Sequence, residues 1–92
     1  MREIHRTPKF VKDIIRYKKR GYALDYLEKV IDMLASDSPL PRNLRDHKLE
    51  GKYKGTRELH LDHDWLLRYE KDGDRLYLWL IEMDTHENMF GR

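Results

Sequence analysis

No cysteine occurs in this chain of 92 residues, and only three prolines and five glycines do. The missing thiols exclude a disulfide framework, a thiolate nucleophile and a thiolate zinc site. No apolar run approaches the ~18 residues needed to span a bilayer. Met1-Arg2-Glu3-Ile4-His5 lacks the apolar stretch of a signal peptide, so a cytoplasmic protein with no membrane partner is expected. Charge, by contrast, is plentiful: 39% of residues carry it, equal to the apolar share, with a net balance of +2. Such a chain is soluble yet able to fold, and its length makes residues 1–92 one domain with a single core. Nineteen Lys and Arg leave room for a basic face that attracts a polyanion. The charge balance alone does not choose a function.

Patterning divides the chain in two. Residues 2–6 alternate loosely and predict a short first strand. Thr7-Pro8 reads as a helix start, with Thr as cap and Pro at the first helical position. Phe10, Val11, Ile14 and Ile15 predict an apolar stripe on that helix, and Lys18-Lys19-Arg20-Gly21 supplies the cations and glycine that end it. Leu24, Leu27, Val30, Ile31 and Leu34 repeat with a 3.6-residue period, giving a second helix over about Ala23 to Ala35. Residues 36–46 hold Pro39 and Pro41 and no helical period, and read as a linker. From there the period is two: Thr56 to Leu61, Trp65 to Glu70 and Arg75 to Met83 read as strands. Lys71-Asp72-Gly73-Asp74 reads as a hairpin turn, with Gly73 available for positive φ. The expected fold class is α+β, two N-terminal helices packed on a curved antiparallel sheet of about four strands.

Four of the five histidines, His47, His60, His63 and His86, lie from residue 47 onward, with Asp64 between the last two. All fall at strand ends or in adjoining loops, where an antiparallel meander can gather them. Histidine exchanges a proton near neutral pH. RNA carries its own nucleophile, so its cleavage needs a base for the 2′-OH, a donor for the phosphorane and an acid for the departing 5′-oxygen. Two or three histidines with a carboxylate meet that need without a cofactor. His60-Leu61-Asp62-His63-Asp64 has no recognised zinc spacing, so no metal is expected. His5 reads as structural or solvated, and His63 as a turn residue. Trp65, Trp79 and Tyr69 read as core before base-stacking platforms.

The run Asp46-His47-Lys48-Leu49-Glu50-Gly51-Lys52-Tyr53-Lys54-Gly55, then Arg57-Glu58-Leu59-His60, Asp64-Trp65-Leu66-Leu67-Arg68-Tyr69, Thr85-His86 and Met89-Phe90-Gly91 resembles the YafQ branch of the RelE/ParE superfamily of bacterial toxins. The resemblance implies a microbial RNase-like fold. It also implies ribosome-dependent cleavage of mRNA in the A site of the 70S ribosome, and inhibition by a cognate antitoxin, DinJ/RelB-like, acidic and partly disordered when free. Operator DNA would be reached only through the antitoxin complex. By position the resemblance makes His47, His60, Asp64 and His86 catalytic. His86 is then the acid, Asp64 or His60 the base, and His47 a stabiliser of phosphate charge. Phe90, Arg68, Trp65 and Arg57 are the expected substrate contacts, with Phe90 stacking on a base or packing the C-terminal turn.

One departure stands out. Glu82 occupies the position where YafQ-like sequences usually carry an arginine, a fixed cation for the phosphate. Either Arg68, Arg57 or Arg75 supplies the charge from another strand, Arg68 first unless it pairs with Glu58 or Glu70, or catalysis is weak or differently arranged. Two rival readings follow: a ParE-like inhibitor of DNA gyrase acting through protein contacts, or a catalytically weak toxin that mainly binds antitoxin and helps repress its operon.

Overall fold

Five strands form one sheet in the order β1-β5-β4-β3-β2: β1 (Glu3–Arg6), β2 (His47–Lys48), β3 (Arg57–Asp62), β4 (Trp65–Asp72) and β5 (Tyr77–Asp84). Helices α1 (Pro8–Lys19) and α2 (Asp25–Ala35) precede the meander, and a one-turn helix α3 (His86–Phe90) follows it. The computed structural model describes residues 1–90; Gly91, the end of the Met89-Phe90-Gly91 motif, lies outside the described residues. The architecture is α+β as expected, with two corrections. The sheet has five strands, and it is mixed, because β1 runs parallel to β5. Two helices and the meander separate these strands in sequence, and so long a connection permits pairing in either sense.

Thr7 caps α1, its Oγ1 accepting the Phe10 N–H at 3.1 Å. The helix ends where expected, with Gly21 in the left-handed region at φ 85°. Its buried stripe differs from the expected one: Phe10, Asp13 and Tyr17 face the sheet, while Val11 and Ile15 are exposed. A carboxylate therefore occupies an interior position of α1, and the sheet edge explains why. β1 pairs with β5 only as far as Leu80, so the later backbone groups on that edge need other partners. α1 provides them. Thr7 Oγ1 donates to Ile81 O at 2.5 Å, Asp13 Oδ2 accepts the Met83 N–H at 3.0 Å, and Arg16 Nη2 donates to Met83 O at 3.1 Å. Replacing Asp13 with alanine leaves a buried N–H without an acceptor, and should destabilise the fold by roughly 1–3 kcal/mol. A lowered urea midpoint at unchanged m-value is the measurement; an unchanged midpoint would show that the contact contributes nothing.

The hairpin turn also departs from expectation. Gly73 does not take the positive φ; Leu76 does, at 55°. The Asp72 carboxylate organises the turn by accepting the N–H groups of Asp74 and Arg75, which moves the left-handed residue to the end of the loop.

One sheet face carries Leu59, Leu61, Trp65, Leu67, Tyr69, Leu78, Leu80 and Met83 into the core with Phe10 and Tyr17 of α1 and the apolar face of α2. Near the middle of β5 the ladder slips. Tyr69 pairs with Leu80 and Arg68 with Glu82, leaving Ile81 as the extra residue of a bulge. The bulge keeps Met83 on the core face and turns Glu82 to the other side, opposite Arg68. That second face carries Glu58, His60, Arg68 and Glu82.

Candidate active site

Register brings the histidines together. His47 of β2 is opposite Glu58 of β3, and alternation places His60, two residues on, on the same face as Glu58. α3, which begins at His86, follows directly on β5, so this ring reaches the same groove. Arg45, His47, Leu49, Glu58, His60, His86 and Phe90 line it.

Each ring is held differently. His47 Nδ1 lies 2.7 Å from the Arg45 carbonyl. A carbonyl only accepts, so Nδ1 carries a proton and the neutral tautomer keeps its lone pair on Nε2. That Nε2 is 3.9 Å from Glu58 Oε1, and His60 Nε2 is 3.2 Å from the same oxygen. The two rings are 6.2 Å apart between centroids, so one buried carboxylate serves both. Burial raises the Glu58 pKa above its ordinary 4.5, against the opposing charges of His47 and His86. Burial also lowers the His60 pKa from 6.5, and the positive neighbours Arg45, His47, His86 and His63 add to the effect. Both effects favour the neutral ring, the form a base requires.

His86 is exposed at the start of α3, with its ring 5.3 Å from that of Phe90. Tyr53 supports this corner: its ring meets Phe90 edge-on at 5.4 Å, and its hydroxyl donates to Met89 O at 3.1 Å. Asp64, expected to be catalytic, has a different contact. Its Oδ1 accepts the backbone N–H of His86 at 2.9 Å, so it tethers the turn between β3 and β4 to the start of α3.

Three expected substrate contacts are placed elsewhere. Trp65 lies in the core, 5% exposed, stacked on Tyr17 and edge-on to Tyr22; burial leaves no ring face for a base. Arg57 pairs in register with Tyr69 and shares its face, away from His60. Both grip Asp46, through a 2.8 Å ion pair from Arg57 and a short hydrogen bond from the Tyr69 hydroxyl. This anchors the segment that presents His47. Arg68 pairs with Glu82 at 2.7 Å, rather than with Glu58 or Glu70, and Tyr53 covers its guanidinium at 4.5 Å. Burial on the sheet face demands a partner for each charge, and each supplies the other's. His63 is a turn residue as expected. His5 packs at the far side of the sheet against Tyr77 and Trp79.

A family model described as a bacterial toxin of type II toxin–antitoxin systems, YafQ, matches residues 2–91. The chain belongs to the YafQ family. The mRNA interferase toxin YafQ of Escherichia coli (strain K12) is 34% identical over 91 residues, 98% of this chain and 97% of that protein. A metal-bound toxin from Helicobacter pylori superposes with a TM-score of 0.92 at 37% identity, covering 98% of this chain and 100% of that one. YafQ in the E. coli DinJ–YafQ complex gives 0.88 at 30% identity, with 99% and 100% covered. In this YafQ-family site, Glu58 and Tyr53 were among the residues the sequence reading missed. Glu58 was signalled by its spacing: Glu-x-His on a strand puts both side chains on one face. Tyr53 carried no such signal, because only tertiary packing brings residue 53 to residues 89 and 90.

Proposed function

We propose that this YafQ-family toxin is an mRNA endoribonuclease that inhibits translation by cutting mRNA held in the ribosomal A site, using acid–base chemistry without a metal. The observation that supports it is the convergence of His47, His60 and His86 on one groove beside a buried carboxylate and Phe90. In this reading neutral His60, paired with Glu58, takes the 2′-OH proton. The 2′-oxygen attacks phosphorus, and protonated His86 gives its proton to the departing 5′-oxygen. The products are a 2′,3′-cyclic phosphate and a 5′-hydroxyl. His47 faces the phosphate charge, Phe90 stacks on a base, and Asp64 positions His86 rather than accepting a proton. The groove is open, with little to fix the RNA in line; a ribosome-held codon supplies that orientation, which is worth several kcal/mol.

The partner that restrains the toxin is an antitoxin, as the DinJ complex of the E. coli relative illustrates. An acidic segment, disordered when free, suits a domain with net charge +2.

The metal-bound relative makes metal independence a direct test. His47, Glu58 and His60 place ligand atoms within 4.8 Å of one another, so a transition metal would claim the lone pairs that proton transfer needs. The assay is cleavage of a defined mRNA on purified ribosomes in Mg²⁺ buffer. A chelator selective for zinc and copper should leave the rate unchanged, and added Zn²⁺ should suppress it. Loss of cleavage on chelation would overturn the metal-free mechanism, and intact mRNA in every lane would overturn the nuclease.

A further inference from the structure

With Glu82 neutralising Arg68 and Arg57 on the opposite sheet face bound to Asp46, neither arginine is available to the scissile phosphate. We infer that Arg45 is the cation of this site, its guanidinium meeting the phosphorane while its backbone carbonyl fixes the His47 ring. The inference rests on the nuclease reading above.

Four observations carry it. Among the described residues, Arg45 is the one Lys or Arg lining the groove of His47, His60 and His86. It also lines a second hollow together with His60 and His63, so it borders His60 on two sides. Its own position is exposed, and among the described residues no carboxylate lies within ion-pair distance of it, in contrast to Arg2, Arg16, Arg57 and Arg68. A charge left unpaired and exposed beside a buried histidine–carboxylate pair is available to an arriving anion.

The backbone adds the fourth. Arg45 closes the turn Arg42–Leu44 in the left-handed conformation, at φ 53° and ψ 41°. An L-residue other than glycine or asparagine is disfavoured there, and such outliers concentrate at functional sites. This conformation also aims the carbonyl at His47 Nδ1. Glycine would hold the same backbone more easily, so the arginine side chain has a use that local folding does not supply. Its charge further helps to keep His60 neutral, after burial.

Glycine substitution separates the two roles, because it removes the guanidinium and keeps the left-handed carbonyl. Arg45→Gly should melt at the same temperature as the parent or higher, yet cleave ribosome-bound mRNA about 10²-fold more slowly at saturating toxin. Arg45→Lys should recover part of that loss. Arg42→Gln removes an equal charge three residues away, beside a hollow that Arg45 also borders but that none of the three histidines lines, and should stay within about threefold of the parent. Cleavage by Arg45→Gly at the parental rate would overturn the inference, as would an equal loss in Arg42→Gln, which would reduce Arg45 to general attraction for RNA. If the parent cleaves and these variants behave so, only the role of Arg45 falls. If the parent leaves mRNA intact, the nuclease reading fails and Arg45's role falls with it.

Discussion

Replacing His86 with alanine should slow single-turnover cleavage of ribosome-bound mRNA by about 10²–10⁴-fold, the usual range for losing a general acid. That corresponds to roughly 2.7–5.5 kcal/mol of transition-state stabilisation. Without the imidazolium, the 5′-oxygen must depart as an alkoxide or wait for water to protonate it. The fold should be indifferent: His86 is exposed, and its tie to Asp64 runs through the backbone N–H, which alanine retains. Melting temperature should therefore stay close to the parent's, since surface substitutions usually change stability by no more than about 0.5 kcal/mol. Induction of this variant should also permit growth. Cleavage within threefold of the parent would remove His86 from the chemistry. Intact transcripts with a DNA-damage response, in a toxic parent, would point to gyrase instead.

Changing Glu58 to glutamine should have a comparable effect with a different pH signature. The carboxylate lies 3.2 Å from His60 Nε2 and favours the protonated ring, while burial opposes it and prevails, holding the His60 pKa below 6.5. The acidic limb of the parent's pH–rate profile should accordingly lie below pH 6.5, where His60 takes up its proton. Glutamine keeps a hydrogen-bond acceptor and removes the negative charge, so the His60 pKa should fall further. The limb then moves to still lower pH, and the plateau drops by about 10²-fold because the weaker base abstracts the 2′-OH proton less readily. A limb displaced upward, or an unchanged plateau, would contradict the pairing of Glu58 with His60.

The same two groups act on stability with opposite signs. The depressed pKa of His60 means that the unfolded chain binds more protons than the native one just below pH 6.5, so this contribution improves as pH rises through that window. The raised pKa of Glu58 has the converse effect above 4.5: native-state proton binding is favoured there, and the contribution weakens as pH rises.

Much of this molecule was legible in its sequence because the signals were local. The Thr7-Pro8 start, the Gly21 stop and the period of Leu27, Val30, Ile31 and Leu34 each report a few neighbouring residues, and the helices formed where these placed them. The histidines were visible as residue types, and their positions at strand ends suggested a meeting place. What failed depended on partners distant in sequence. Val11 and Ile15 look as apolar as Ile14, yet α1 turns Asp13 inward because Met83, 70 residues away, has an N–H to satisfy. Arg57 and Arg68 are both plausible phosphate ligands in sequence. Strand alternation sends the first to the core side, and the bulge at Ile81 presents Glu82 to the second.

By itself, then, the order of residues determined an α+β domain, its two long helices and the chemistry available to it, since propensity, period and side-chain type act over one or two turns. Only the folded sheet decided which of those groups meet. Register and one bulged residue set whether a side chain points to the groove or to the core, and no local pattern encodes a pairing between residues tens of positions apart. For that reason Asp64 holds the backbone of His86, Glu58 sits beside two histidines, and Arg45 borders their groove with no carboxylate in ion-pair range among the described residues.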